Sequence, residues 1–205
     1  MKKSWIYPFV SLLVCIGMIT YYTAIKRTKG FCYYKIHSLY GYDPRWDFGM
    51  PNEEQEALLD QIAQRPLTFL GSGKECYAFV TADGSLVVKF FKQKHLRTQY
   101  ITNYLPIVNK YLIRKKQKLS RRASRRKELY KSCQIAYEQF PEDTGVLYLH
   151  LTKTKTLRRP IRLITPKGAE LTLKLDDMEF IVQRRAQKTS PIYAALKRKI
   201  SSTPG

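Results

Sequence analysis

Apolar and polar positions give this chain three textures. Trp5–Ile25 is apolar throughout and carries no charge; about 20 such residues are enough to cross a bilayer as a helix. From Leu67 onward the pattern breaks into short apolar runs separated by turn dipeptides. Between those runs, Lys110–Lys131 places cations on every face that a helix would have, which excludes a buried core element in its first part.

Lys2 and Lys3 precede the first apolar run, and Lys26, Arg27 and Lys29 follow it. Trp5, Tyr7, Tyr21 and Tyr22 stand near its ends, where amphipathic rings favour the headgroup layer. Pro8 falls in the first turn, where a missing N–H costs little. The run closes on Thr20-Tyr21-Tyr22-Thr23-Ala24-Ile25, without the small-x-small pattern at which a signal peptide is cut. A retained single-pass anchor is therefore expected over 1–29, basic flanks included. The larger basic cluster follows the span, so the positive-inside bias places the bulk of the chain in the cytoplasm. A Tyr-rich linker with one short helix occupies 30–66. Asn52 is set to cap that helix, Asn52–Gln64, with Gln55 three residues on and Glu53 and Glu54 in the first turn. Leu58, Leu59 and Ile62 form its apolar stripe, and Pro66 ends it.

Leu67–Leu70 reads as the first strand, followed by a turn at Gly71-Ser72-Gly73. Cys76–Thr81 and Leu86–Phe91 flank Asp83-Gly84 as a hairpin. Gln93–Pro106 shows little regularity. Past the basic segment, Leu129, Cys133, Ala136 and Phe140 recur at helical spacing, widened by Tyr137 and stopped by Pro141. Val146–Lys153 alternates, with Leu147, Leu149 and Leu151 on one face. Ile161–Thr165 and Glu170–Leu175 bracket Pro166-Lys167-Gly168 as a hairpin, and Met178–Val182 follows a turn at Asp176-Asp177. Ile192–Ile200 begins a further helix. The fold class is α+β.

Charge changes the picture more than size does. Lys and Arg number 37 against 16 Asp and Glu, a formal net charge of +21, and a field of that sign favours anionic partners. Arg121, Arg122, Arg125 and Arg126 are the candidates for contact with anionic lipid or an acidic protein. Few aromatics interleave them, which disfavours nucleic acid. Cys15, Cys32, Cys76 and Cys133, like His37, His95 and His150, are scattered. Neither a metal site nor a disulfide framework has the spacing it would need.

Leu70–Lys92, LGSGKECYAFVTADGSLVVKFFK, carries the chemistry. Glycines let backbone N–H groups approach an anion, and a lysine in the third strand reaches across the sheet into the same cleft. In this order and spacing the stretch resembles the N-terminal lobe of the protein-kinase-like superfamily. Val87-Val88-Lys89 stands where that family has V-A-I-K. Gly71 and Gly73 stand for the first two glycines of G-x-G-x-x-G, with Cys76 in place of the third, and Ala78 takes the small apolar position over the adenine. The resemblance covers 67–186. It implies a small lobe, an antiparallel sheet with a helix-C-like helix, interrupted by the basic helical insertion 110–131 and an extra hairpin. It also implies a nucleotide cleft of Gly71, Gly73, Ala78 and Lys89, with a helix glutamate paired to Lys89. Glu128 and Glu138 are the two candidates, and the helical period favours Glu128 at the flank of the stripe. Asp47-Phe48-Gly49 matches the tripeptide that holds magnesium in that family. It precedes the Gly-rich turn instead of following a catalytic loop, so it reads as a surface turn packed by Trp46 and Phe48.

The resemblance stops at the hinge. No H-R-D follows, the last acid is Glu179, and 187–205 reads as a truncated tail; the large lobe and its metal ligands are missing. Phosphoryl transfer rests on those groups. The expectation is a membrane-anchored, catalytically incomplete kinase-like protein, a truncated or split relative whose partners include a separately encoded large lobe. It is not expected to act as an enzyme alone, its affinity for ATP is expected to be weak or absent, and no other cofactor is implied. The alternative is a single-pass membrane protein whose polybasic segment binds anionic lipid or nucleic acid.

Overall fold

The computed structural model describes residues 6–38, 40–93 and 109–186, with the backbone alone at Ile6, 109–120 and Arg122. Helix α1 spans Ile6–Thr28, α2 Glu53–Gln64, α3 Asn109–Gln139 and α4 Pro141–Thr144. The strands are β1 (Leu67–Ser72), β2 (Cys76–Val80), β3 (Leu86–Phe91), β4 (Val146–His150), β5 (Pro160–Ile164), β6 (Glu170–Lys174) and β7 (Phe180–Arg184). They form a single sheet ordered β4-β7-β3-β2-β1-β5-β6. The architecture is mixed α+β, as the sequence predicts. It is not wholly antiparallel: β1 and β5 run parallel, with Leu67 opposite Leu163, because the chain crosses from β4 at one edge to β5 near the other.

Both faces of the sheet are covered, which explains why β3 is apolar on both sides. On one face Phe69, Tyr77, Phe79, Val88, Phe90, Phe180 and Val182 share a core with Leu59 and Ile62 of α2. Phe31, just past α1, packs edge-on against Phe69, Tyr77 and Phe79 with ring centroids 5.2–5.8 Å apart, the geometry aromatic quadrupoles favour. A reciprocal capping box opens α2: Asn52 accepts from the Gln55 N–H at 2.8 Å, and Gln55 accepts from the Asn52 N–H at 3.1 Å. Arg159, leading into β5, pairs with Asp60 at 2.6 Å and with Glu56, holding α2 to that end of the sheet.

On the other face Phe91, Ile181, Val146, Leu149 and Leu151 lie beneath α3, which contributes buried Tyr130 and half-buried Leu129, Cys133, Ala136 and Tyr137. Phe140, expected in this stripe, is 48% exposed. A residue before proline is pushed out of helical conformation; Phe140 sits at φ −132° and Pro141 opens α4. Strand β4 ends at His150 instead of Lys153. The irregular stretch beyond Gln93 and the helix expected at Ile192–Ile200 lie outside the described residues.

Helix α1 differs from all of this. None of its span is buried; Tyr7–Thr28 has a mean hydropathy of 1.8 and is long and apolar enough to cross a membrane. Trp5 lies outside the described residues.

The end of β4 carries a buried polar chain. His150 Nδ1 donates to the Met178 carbonyl at 2.8 Å, and Nε2 meets the Thr154 hydroxyl at 3.1 Å, which donates to Asp176 at 2.7 Å. Burial lowers the His150 pKa below its ordinary 6.5, against the opposing pull of the Met178 carbonyl and the Asp176 charge. Burial raises Asp176, but bonds from Thr154 and from the backbone N–H groups of Arg158 and Leu157 hold it below its ordinary 3.8. An unfolded chain takes a proton on His150 before the folded one does. Stability is therefore full above the ordinary histidine value and falls as pH drops through it. The urea midpoint is expected to decline from about pH 7 to about pH 5, and His150→Gln should flatten that slope. The Asp176 contribution should persist until the pH falls below the ordinary aspartate range.

Candidate functional site

Three residues of the expected nucleotide cleft, Gly71, Ala78 and Lys89, are aligned by a β-bulge. Strand β1 shifts register between Phe69 and Gly71. Without that extra residue Gly71 would lie on the face of Phe69; with it, Gly71 stands opposite Ala78. Ala78 stands opposite Lys89, and Lys89 opposite Ile181. Directly opposed residues project to the same side, so Gly71, Ala78 and Lys89 form one row on the face that α3 covers.

Gly71 lies within β1, not in the turn expected there. The turn proper starts at Gly73, whose N–H donates to the Cys76 carbonyl at 2.9 Å. Lys92 closes it: its ammonium donates to the Ser72 hydroxyl at 2.6 Å and to the Gly73 carbonyl, above the Tyr77 ring at 4.2 Å. Neither glycine adopts left-handed backbone. A Cβ on Gly71 would meet nothing within 4 Å, and one on Gly73 would meet only ordinary contacts from 3.7 Å. These glycines leave open space; the backbone does not demand them.

Lys89 is half-buried. Among the described residues no carboxylate lies within ion-pairing distance of it, and neither glutamate candidate turns toward it. Glu128 is exposed. Glu138 is exposed as well and accepts from the Gln134 amide at 2.9 Å. The phase of α3 explains this, because the residue directed at the sheet is Tyr130, about 200° around the helix from Glu128. Cys133 lies close enough to feel both Cys76 and Lys89. Burial pushes its thiol up to about 11, Cys76 adds to the rise and Lys89 opposes it.

The carboxylate on this face comes from the sheet. Glu179 is 1% exposed, and its carbonyl accepts from the Phe91 N–H at 2.9 Å, which puts it two positions from Ile181 and diagonal to Lys89. Its carboxylate accepts from the Ser38 hydroxyl at 2.8 Å, from the Gln93 amide and from the Tyr130 hydroxyl. Tyr130 packs edge-on against Trp46 at 5.3 Å and beside Phe91 at 5.6 Å. Burial drives its hydroxyl far above the ordinary tyrosine value, and the Glu179 charge adds to this. The sequence held one signal for this knot: Glu179 interrupts an apolar strand, and an acid in such a place needs hydrogen-bonding partners.

The four arginines singled out from the sequence separate. Arg121 and Arg125 are exposed, and the side chain of Arg122 lies outside the described residues. Arg126 is half-buried, its guanidinium 3.2 Å from the Tyr40 ring centroid and 5.3 Å from that of Tyr130. Asp47-Phe48-Gly49 forms a turn. Asp47 accepts from the Tyr42 hydroxyl at 2.7 Å and from the Gly49 N–H at 3.0 Å, with Gly49 at φ +82°. Set against protein-family models, curated proteins and solved structures, the chain matches none.

Proposed function

We propose that this chain is a membrane-anchored, kinase-like small lobe that binds partners and does not itself transfer phosphoryl groups. The observation that carries the reading is the row Gly71–Ala78–Lys89, set in register across three strands beneath a crossing helix. The path β1-β2-β3-α3-β4-β7 supports it, with the β5-β6 hairpin as an addition at the far edge. Catalysis is disfavoured by the same site. Among the described residues Lys89 has no paired acid to orient it toward phosphate, Cys76 replaces the third glycine, and Lys92 already occupies the carbonyl side of the turn. The apolar α1 supplies the anchor, with the body on the cytoplasmic side. The exposed cations Arg121 and Arg125 favour a second, compatible role in contact with an acidic leaflet, worth about 1 kcal/mol per cation near the surface.

Magnesium-ATP titrated into the full chain in a maltoside detergent is expected to leave the melting temperature nearly unchanged, with no hydrolysis above that of Lys89→Met. Lys89→Met and Glu128→Gln should add in their effects on stability, coupling by less than about 0.5 kcal/mol. ATP hydrolysis that disappears with Lys89→Met would reject the non-catalytic reading. Strong Lys89–Glu128 coupling would show a pair that forms in solution.

A further inference from the structure

A groove of about 300 Å³ lies between the turn at Arg45 and Trp46 and the α3 residues Ala123, Ser124, Arg126 and Lys127. Its charges are not equivalent. Arg45 is already neutralised by Asp43 through two bonds, Nε to Oδ1 at 2.9 Å and Nη2 to Oδ2 at 2.7 Å. Arg126 and Lys127 have no ion-pair partner among the described residues, although Arg126 lies near enough to Asp43 for its charge to help lower that carboxyl; two unpaired cations thus stand along one wall. The other carboxylate nearby, Glu179, is spent on Ser38, Gln93 and Tyr130.

Arg126 is also held in a particular way. Tyr40 covers one plane of its guanidinium, which leaves the in-plane N–H groups as its means of binding. One of these, Nη1, is closed to solvent and has no hydrogen-bond partner among the described residues, so the remaining N–H groups of the guanidinium are the ones a ligand in the groove would meet. Ser124 offers a hydroxyl on the same wall.

We infer that this groove is a binding site for a phosphate monoester, carried on a lipid headgroup or free in solution, with Arg126 and Lys127 matching its two negative charges and Ser124 and Trp46 lining the seat. Two cations without a direct ion pair suit a dianion, and a stacked guanidinium presents its donors in the fixed fork that phosphate oxygens accept. The site stands apart from the nucleotide row and from the kinase-like reading. It also differs from the exposed face of Arg121 and Arg125, which offers charge without a cavity.

Trp46 gives the readout. In a Trp5→Phe background it is the single tryptophan, and it lines the groove. Inorganic phosphate titrated into the full chain in maltoside, at constant ionic strength, is expected to change its emission saturably. Arg126→Gln should weaken the response about tenfold or more, as loss of a charge-assisted bond does. Lys127→Gln, an exposed exchange, should weaken it several-fold even if Arg126→Gln fails to fold. Arg121→Gln with Arg125→Gln should leave it unchanged. Vesicles of phosphatidylcholine with a tenth part phosphatidylinositol 4-phosphate then identify the source: tighter binding than inorganic phosphate assigns a headgroup, and equal binding assigns free phosphate. Either result requires dependence on Lys127. No saturable response, or equal binding to phosphatidylserine vesicles of matched charge that is lost with Arg121 and Arg125, would overturn the site.

Discussion

Replacing Glu179 by alanine is expected to destabilise the fold by about 2 kcal/mol, from two orphaned donors at about 1 kcal/mol or more each. Two effects oppose each other here. Alanine removes the cost of keeping a carboxylate out of water, but it leaves the Gln93 amide and the Tyr130 hydroxyl without their acceptor, while the Ser38 hydroxyl keeps the Tyr40 carbonyl at 3.4 Å. Gln93 and Tyr130 are 5% and 1% exposed, so neither can turn to solvent instead. The orphaned donors therefore outweigh the relief. For a chain of this size the loss should lower the melting temperature by about 4–8 °C. Glu179→Gln should be milder, because both hydroxyls can rotate and accept from the new amide. Tyr130→Phe removes one donor and should cost about 1 kcal/mol. Combined with Glu179→Ala it should cost less than the sum, since the donor that would be stranded is gone. A neutral or stabilising Glu179→Ala would mean instead that the buried charge is a net burden, as some buried ion pairs are.

What could be read from the sequence was what local chemistry decides. The capping box at Asn52 and Gln55 has both halves within one turn, so its signature and its structure coincide. The β2-β3 hairpin likewise follows from Asp83-Gly84, where Gly84 takes φ +75°. The candidate site was legible as a list of residues and not as an arrangement. Gly71 reads as turn because glycine serves turns and bulges alike, and only pairing with β2 decides between them. The phase of α3 over the sheet is a tertiary matter. Tyr130, Cys133 and Tyr137 lie on one helical face, but Tyr130 stands beside Lys131 in a basic run and gave no apolar signal of its own. The helical period favours Glu128, whereas the packing turns Tyr130, two positions on, toward the sheet. In the sequence Arg126 stands as an equal of Arg121, Arg122 and Arg125 among the candidate anion contacts, because the ring that stacks on it, Tyr40, belongs to a distant segment. The parallel pairing of β1 with β5 depends on a crossover, which no local pattern encodes.

The largest effect of all should come from two exchanges in α1. Leu13→Lys together with Ile16→Lys is expected to move the protein from the alkaline-carbonate pellet to the soluble fraction. Each lysine near the middle of a spanning helix costs about 2.5–3.5 kcal/mol on insertion scales. The pair exceeds what the remaining apolar residues contribute, at about 0.3–0.6 kcal/mol each for leucine, isoleucine, valine and phenylalanine. Leu13 is 53% exposed and Ile16 49% exposed, with no part of the sheet over them, so the exchanges should leave the urea midpoint of the body where it was. That invariance separates a membrane anchor from the two other origins of an apolar N-terminal helix. A core helix of a soluble protein would keep the unaltered chain out of the pellet, and the lysines would unfold it. A cleaved signal sequence would yield a mature chain lacking α1, seen as loss of an N-terminal tag from the membrane fraction. An anchor alone combines a retained tag, a carbonate-resistant chain, and a double lysine variant that is soluble yet equally stable.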